Sequence, residues 1–207
     1  MQILHIDSSI TLENSVSRQL SYEVVKALTE NGQCENIIYR DLIKDEIPHL
    51  TGDIAAGFRA VSGAATTPEL ATEYALSEKI VNEFLTSDMI VIGAPMYNFT
   101  VASQLKAWLD RLAQPGKTFH YTANGPVGLA TGKTVVVASA RGGFYHNTPL
   151  SEMDFQEHYL RHFFAFLGIT QVKFIRVEGA SKGENIKQQE ILRALNAIPQ
   201  LIDSITH

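Results

Sequence analysis

The sequence predicts an α/β protein with a five-stranded parallel sheet in the order 2-1-3-4-5 and helices on both faces. Short runs rich in Ile and Val alternate along the chain with longer amphipathic segments, which is the pattern of strand and crossover helix. Crossovers between parallel strands are right-handed, so this alternation allows few sheet orders. The chain has neither an internal repeat nor a linker, and residues 1–207 are predicted to form a single domain.

Five apolar runs are predicted as strands because each is enriched in Ile or Val and ends in polar or small residues. They are residues 2–7, 35–41, 89–94, 134–140 and 172–177. The amphipathic segments predicted as helices are residues 17–30, 69–85, 103–112, 153–167 and 186–205. Pro199 lies inside the last of these, which predicts a kink or an interruption there.

Two connections are longer than a simple turn. Residues 42–68 contain Pro48, Gly52, Gly57 and Gly63 and are predicted to hold short irregular helices. Residues 115–132 are predicted to form an irregular surface loop that carries Phe119, His120 and Tyr121. Exposed aromatic side chains of this kind usually contact a ligand or a partner.

Composition excludes several classes of function. The 207 residues are 45% hydrophobic and 19% charged, as in ordinary globular proteins. A net charge of -5 without a dense basic run disfavours nucleic acid as a partner. The apolar runs are shorter than the roughly 20 residues that cross a bilayer, so no membrane span is expected. A single cysteine, Cys34, and the lack of a secretory signal predict a cytoplasmic location.

The third predicted strand ends in a proline-marked loop that presents aromatic and amide groups. Met96, Tyr97, Asn98 and Phe99 follow the apolar run of residues 89–95 directly. Open parallel sheets bind their ligands at the carboxyl ends of strands. A flat cofactor could therefore lie against this loop.

The loop after the first strand, residues 7–17, is rich in hydroxyl groups and leads into the first predicted helix. A helix amino terminus has free N–H groups and a positive dipole end, so hydroxyls there can bind a phosphate without a lysine. The loop has neither a Walker pattern nor Gly-x-Gly-x-x-Gly, which counts against ATP and a dinucleotide. A simpler alternative, which stays open, is that Ser15 or Ser17 only caps the helix.

A turn with paired glycines follows the fourth predicted strand: Ser139-Ala140-Arg141-Gly142-Gly143. Paired glycines allow positive φ and close approach of the backbone, so this turn could place N–H donors against the edge of a ring. The alternative is an ordinary tight turn with a surface arginine. The loops after strands one, three and four together predict one pocket, with a phosphate on one side and a ring on the others.

These motifs closely resemble the FMN-dependent NADH azoreductases and quinone reductases of the flavodoxin-like superfamily. The resemblance covers nearly the whole chain, and the tetrad 96–99 with its preceding proline is its most specific part. Besides the serine-rich first loop, it rests on Ala94-Pro95-Met96-Tyr97-Asn98-Phe99, Ser103-Gln104-Leu105-Lys106, Phe119-His120-Tyr121-Thr122, Arg141-Gly142-Gly143 and Phe166-Leu167-Gly168-Ile169.

The resemblance implies a flavodoxin-like domain that binds one FMN per subunit. The residues implied to bind the phosphate are Ser9, Ser15, Val16 and Ser17. Those implied to line the isoalloxazine ring and the ribityl chain are Met96, Tyr97, Asn98 and Phe99. Those implied to contact the pyrimidine end of the ring through backbone groups are Ala140, Arg141, Gly142 and Gly143. The family commonly has serine at the position of Ala140.

The resemblance also implies a homodimer, in which Tyr121 and Phe163 reach toward the neighbouring subunit's flavin and bind the aromatic substrate. NADH would reduce the flavin by hydride transfer, and a quinone or an azo compound would then accept two electrons. Without a second nucleotide fold in the sequence, NADH and the acceptor are expected to use one flavin face in turn, by a ping-pong mechanism. No catalytic acid, base or metal site is predicted.

Two alternatives remain at the level of sequence. A flavodoxin-type electron carrier would bind FMN on the same fold and exchange single electrons with proteins, and a non-catalytic FMN-binding module would do no redox chemistry. The long segments 42–68 and 115–132 favour an enzyme over a carrier.

Overall fold

Five parallel strands form the central sheet of the computed structural model, which describes residues 1–59 and 67–206. The strands of the chain are β1 (Gln2–Asp7), β2 (Asn36–Asp41), β3 (Met89–Pro95), β4 (Phe119–Thr122), β5 (Gly125–Gly128), β6 (Thr134–Ala140) and β7 (Gln171–Val177). The sheet order is β2-β1-β3-β6-β7, and all neighbouring strands are parallel. The predicted five-stranded parallel sheet is confirmed, and its last two strands are numbered β6 and β7 because the antiparallel pair β4 and β5 precedes them.

The five long helices lie close to their predicted positions. The helices are α1 (Val16–Glu30), α2 (Gly52–Gly57), α3 (Pro68–Thr86), α4 (Ser103–Leu112), α5 (Phe155–Phe166) and α6 (Glu184–Thr206). The short helix α2 agrees with the prediction of short helices in residues 42–68, whereas Gly63 lies outside the described residues. Within the described ranges, none of the helices is both long and apolar enough to span a membrane.

Alternate residues of the strands pack into two cores on opposite faces of the sheet. Ile3 of β1 packs in the core that contains α1 and α6, whereas its neighbour Leu4 packs in the core that contains α3, α4 and α5. All seven residues of β3 are buried, because both faces of this central strand are covered. Burial on two faces explains why β3 has a continuous apolar run rather than an alternating pattern.

The structure corrects the prediction for residues 115–132 and one of the two outcomes predicted at Pro199. Residues 115–132 contain the hairpin β4–β5, in which Phe119 is buried and packs on Phe166 at 4.5 Å between ring centroids. The strands have only four residues each, so tertiary packing decides their structure more than any local pattern. Of the kink or interruption predicted at Pro199, the interruption is absent: α6 continues past the proline, and Ile198 and Ile202 are buried in the core.

Candidate active site

The carboxyl edge of the sheet brings the loops after β1, β3 and β6 into contact. The hydroxyl of Tyr97, in the β3 loop, lies 3.4 Å from Ser9 Oγ and accepts a hydrogen bond from the Ile10 amide at 3.3 Å. On the other side, the Met96 amide donates to the Ala140 carbonyl at 2.8 Å. The three loops singled out in the sequence are therefore contiguous.

The amino terminus of α1 combines a cap with unpaired donors. Ser15 is the N-cap, its Oγ accepts from the Arg18 amide at 3.2 Å, and it lies 3.1 Å from Ser17 Oγ. The capping role considered for Ser15 is confirmed. The amides of Val16 and Ser17 have no hydrogen-bond partner among the described residues, as expected for the first turn of a helix. The cap thus leaves donors available at this helix end.

Ser9 belongs to the same loop and is almost completely buried. Its hydroxyl lies 3.0 Å from Thr11 Oγ1, and the preceding Ser8 hydroxyl donates to the Gly93 carbonyl at 2.8 Å. The Ser8 bond ties the loop to β3. The guanidinium of Arg18 donates to the Ser9 carbonyl, a contact that no sequence motif indicated.

The β3 loop reverses through a tight turn with two residues at positive φ. Tyr97 and Thr100 exchange both of their backbone hydrogen bonds, at 3.0 and 3.1 Å. Asn98 has φ 47° and Phe99 has φ 70°, which together match a type I′ turn. Asparagine tolerates this region, but phenylalanine rarely adopts it and such residues cluster at functional sites. Phe99 is 40% exposed, and its ring centroid lies 6.4 Å from that of Tyr145.

The positive φ of Phe99 predicts that glycine is more stable than alanine at this position, the reverse of their usual order. Phe99→Gly is expected to be more stable to urea than Phe99→Ala by about 1 kcal/mol, because glycine lacks the Cβ that is strained at positive φ. Both variants lose the same ring, so the comparison isolates the backbone. Glycine normally destabilises regular structure relative to alanine, and an alanine variant of equal or higher stability would contradict the strained turn.

The glycines of the β6 loop serve close packing rather than an unusual backbone. Gly142 and Gly143 lack positive φ, so the conformational freedom considered from the sequence is not used. A Cβ at Gly142 would lie 2.8 Å from Ser181 Oγ, and one at Gly143 would lie 3.2 Å from Tyr145 Cε2. The amides of both glycines have no partner among residues 1–59 and 67–206. This turn therefore offers two free N–H donors.

Arg141 is not a surface residue, and that interpretation of the turn is wrong. Its side chain is completely buried and pairs with the carboxylates of Asp154, Glu157 and Glu178. Its amide donates to the Val177 carbonyl at 2.9 Å. Of the four residues predicted in this turn, the two glycines are the ones whose amides remain unpaired.

A cavity of about 750 Å³ lies beside the first two loops. Its lining includes Ile10, Met96, Tyr97 and Asn98 of the two loops and Tyr159 of α5. The lining of this cavity includes no residue of the β6 loop and none of the residues predicted to bind the phosphate. Ser15 lines a second cavity of about 530 Å³ together with Arg18 and Asp41. The first cavity therefore contains only part of the predicted pocket. Burial, with a smaller contribution from Asp110, raises the pKa of Tyr159 to about 12, so its hydroxyl stays protonated at neutral pH.

Neither of the two predicted substrate contacts lines the first cavity, although the Phe163 ring lies 5.9 Å from the ring of Tyr159, which does. Tyr121 is 71% exposed on β4, with its ring 5.4 Å from Phe119. Phe163 is half-buried on α5 and packs against the core, while its neighbour Phe164 is completely buried within it.

Comparisons with known proteins agree on one family. A family model for the flavodoxin-like fold matches residues 1–202. FMN-dependent NADH:quinone oxidoreductase 2 of Xanthomonas euvesicatoria pv. vesicatoria is 51% identical over 205 residues, covering 99% of this chain and 95% of its own. An azoreductase structure from Bacillus anthracis has a TM-score of 0.89 at 28% identity, covering 99% of this chain and 100% of its own.

An FMN-dependent NADH-azoreductase from Bacillus anthracis, solved in complex with FMN, has a TM-score of 0.84 at 26% identity, covering 97% of this chain and 98% of its own. The resemblance seen in the sequence motifs is therefore confirmed at full length. The chain belongs to the flavodoxin-like family, within the group of FMN-dependent NADH:quinone oxidoreductases and azoreductases.

Proposed function

We propose that this protein is an FMN-dependent NADH:quinone oxidoreductase with azoreductase activity. The observation that carries the proposal is the set of unpaired donors where the three loops meet: the amides of Val16 and Ser17 at one side, and those of Gly142 and Gly143 at another. The relative from Xanthomonas and the FMN complex from Bacillus anthracis support the same cofactor.

The donors at α1 fit the phosphate of FMN. Two free amides, the positive end of the helix dipole and the hydroxyls of Ser9, Ser15 and Ser17 can share a doubly charged group without a lysine. Phosphate oxygens need several donors at once, and these groups supply them from one loop and one helix turn. Val16 contributes its amide rather than its side chain.

The other two loops fit the ring and the ribityl chain. The free amides of Gly142 and Gly143 suit the carbonyl and nitrogen acceptors at the pyrimidine end of the isoalloxazine ring. The turn at 96–99 presents the apolar, aromatic and amide groups expected along the rest of the cofactor. Neither the main chain nor the side chain of Arg141 is needed for this contact.

When bound, FMN would supply the redox chemistry, which is hydride transfer from NADH followed by transfer of two electrons to a quinone or an azo bond. The residues of the loops after β1, β3 and β6 would hold and orient the cofactor, and we assign none of them as an acid or a base. NADH and the acceptor would use the same site in turn, by a ping-pong mechanism.

We infer a homodimer in which Tyr121 and Phe163 contact the aromatic substrate at the neighbouring subunit's site. The support is the exposure of Tyr121 at 71%, which is unusual for so large a ring unless a partner or ligand covers it. We also infer one FMN-binding domain over residues 1–207, supported by the family match to residues 1–202. The lone free cysteine, Cys34, supports a reducing, cytoplasmic setting.

Steady-state kinetics with a quinone tests the function. Protein loaded with FMN is expected to oxidise NADH, and double-reciprocal plots at several fixed quinone concentrations are expected to give parallel lines. The same protein freed of FMN serves as the control. Intersecting lines would contradict the shared face, and no turnover with quinones or azo dyes would favour an electron carrier or a binding module.

A further inference from the structure

We propose that Arg18 is a positioning residue for the phosphate-binding loop: it holds the Ser9 carbonyl against the first turn of α1 and so sets the spacing of the phosphate donors. This inference rests on the proposed binding of FMN.

Arg18 joins both ends of the loop. Its guanidinium donates to the Ser9 carbonyl through Nη2 at 3.0 Å and through Nε at 3.3 Å. Its own amide donates to the Ser15 cap at 3.2 Å. One residue in the first turn of α1 therefore connects Ser9 with Ser15, the two serines that flank the irregular part of the loop.

The guanidinium is itself anchored at the carboxyl end of β2. Its Nη1 donates to Asp41 Oδ2 at 2.8 Å and its Nη2 to Asp41 Oδ1 at 2.7 Å. This bidentate pair fixes the plane of the guanidinium. Burial would raise the pKa of Asp41, but hydrogen bonds from Arg18 and from the Ile43 amide outweigh it and lower the pKa. Asp41 is therefore ionised at neutral pH.

All N–H donors of the Arg18 guanidinium are used within the protein. Arg18 therefore positions the loop and does not bind the phosphate directly. A guanidinium has five N–H groups. Two point to the Ser9 carbonyl, two to Asp41, and the last to Tyr39 Oη at 3.3 Å. None is left for a phosphate, so Arg18 acts on the phosphate through the position of Ser9.

The neighbouring residue of β2 provides a matched control. Arg40 forms a bidentate pair with Glu83: its Nε donates to Oε2 at 3.0 Å and its Nη2 to Oε1 at 2.8 Å. The side chains are 7% and 14% exposed, similar to 14% for Arg18 and 4% for Asp41. Within the described residues, the side-chain hydrogen bonds of Arg40 go to Glu83 and not to the loop at residues 8–17. Arg40→Met therefore breaks a comparable ion pair and is expected to leave the loop in place.

The test compares binding of FMN and of riboflavin, which lacks the phosphate, to flavin-free wild type, Arg18→Met and Arg40→Met. Arg18→Met is expected to bind FMN about tenfold more weakly than wild type does, because the hydrogen bonds from the loop to the charged phosphate are weakened. Its affinity for riboflavin is expected to stay within about twofold of the wild-type value. Arg40→Met is expected to change neither. An Arg18→Met variant that keeps wild-type FMN affinity, or loses both ligands equally, would overturn the inference.

Arg18→Lys keeps the inference testable should the methionine variant fold poorly. Lysine retains the charge beside Asp41 but cannot form the bidentate pair, so FMN binding is expected to weaken while riboflavin binding is unchanged. A lysine variant with wild-type FMN affinity would show that the charge of residue 18, and not its hydrogen-bond geometry, determines FMN affinity. That result would overturn the positioning role. Wild-type protein that binds no FMN would instead overturn the proposed function, a separate and recognisable outcome.

Discussion

Ser15→Asp is expected to weaken FMN binding by about a hundredfold while leaving α1 intact. Aspartate caps helices as well as serine does, so the bond to the Arg18 amide survives. Its carboxylate, however, lies next to the unpaired amides of Val16 and Ser17, where the phosphate is proposed to bind. Two negative charges about 4 Å apart repel by several kcal/mol at an effective dielectric constant near 20, and a hundredfold loss needs about 2.8 kcal/mol.

Ser15→Asn is the matched control for the charge. Asparagine caps the helix equally well and has nearly the same shape as aspartate, so it is expected to lower FMN affinity by about tenfold or less. Riboflavin affinity, measured by calorimetry alongside that of FMN, is expected to differ little between the two variants. Equal FMN affinities of the aspartate and asparagine variants would place the phosphate elsewhere.

Arg141→Met is expected to lower the free energy of unfolding by about 3–5 kcal/mol, the cost of leaving buried charges without their partner. The guanidinium is completely buried, and it neutralises Asp154 at 2.9 Å and Glu178 at 3.1 Å as well as Glu157. Among the three carboxylates, Glu157 is the one that keeps a second arginine within the described part of the chain, Arg176 at 2.7 Å. Urea unfolding at neutral pH measures the loss.

The loss should also depend on pH in a defined direction. Burial would raise the pKa of Glu178, but hydrogen bonds from the His146 and Tyr145 amides and from Arg141 outweigh it, so the pKa lies below its ordinary value of 4.5. A carboxyl with a lowered folded pKa contributes stability above its unfolded pKa and loses it as the pH falls through the folded value. The difference between wild type and Arg141→Met is therefore expected to shrink in acid.

Arg193→Met provides the control for this prediction. Arg193 pairs with Glu190 at 2.6 Å on the exposed side of α6, and its side chain is 62% exposed. Exposed pairs of this spacing contribute about 0.5 kcal/mol or less, so the variant should unfold almost as wild type does. A similar small loss for Arg141→Met would contradict the account of its buried network.

The parts of the fold predictable from sequence are those with a strong local pattern. β3 appears in the sequence as an unbroken apolar run because all of its residues are buried. The serines at residues 8–17 can be recognised because they directly precede an amphipathic helix pattern. The hairpin β4–β5 has no such signal, because Phe119 is held by Phe166, 47 positions away in sequence. α6 continues through Pro199 because burial of its apolar face outweighs one lost hydrogen bond.

The missed parts of the site are long-range charge networks. Arg141 looks like a turn residue in the sequence, and its burial depends on Glu178, which lies 37 positions away. Arg18 looks like an ordinary helix-face cation, and its role depends on Asp41, 23 positions away, and on the Ser9 carbonyl. A single sequence carries no local pattern for such pairs, since neither partner is set by helical or strand spacing.

Calorimetric titration of FMN into purified, flavin-free protein decides whether the three loops form a cofactor site. We expect one FMN to bind per chain, and riboflavin to bind more weakly because it lacks the group held by Ser9, Ser15 and the first turn of α1. Absence of FMN binding, or equal affinities for FMN and riboflavin, would contradict the assignment of these loops.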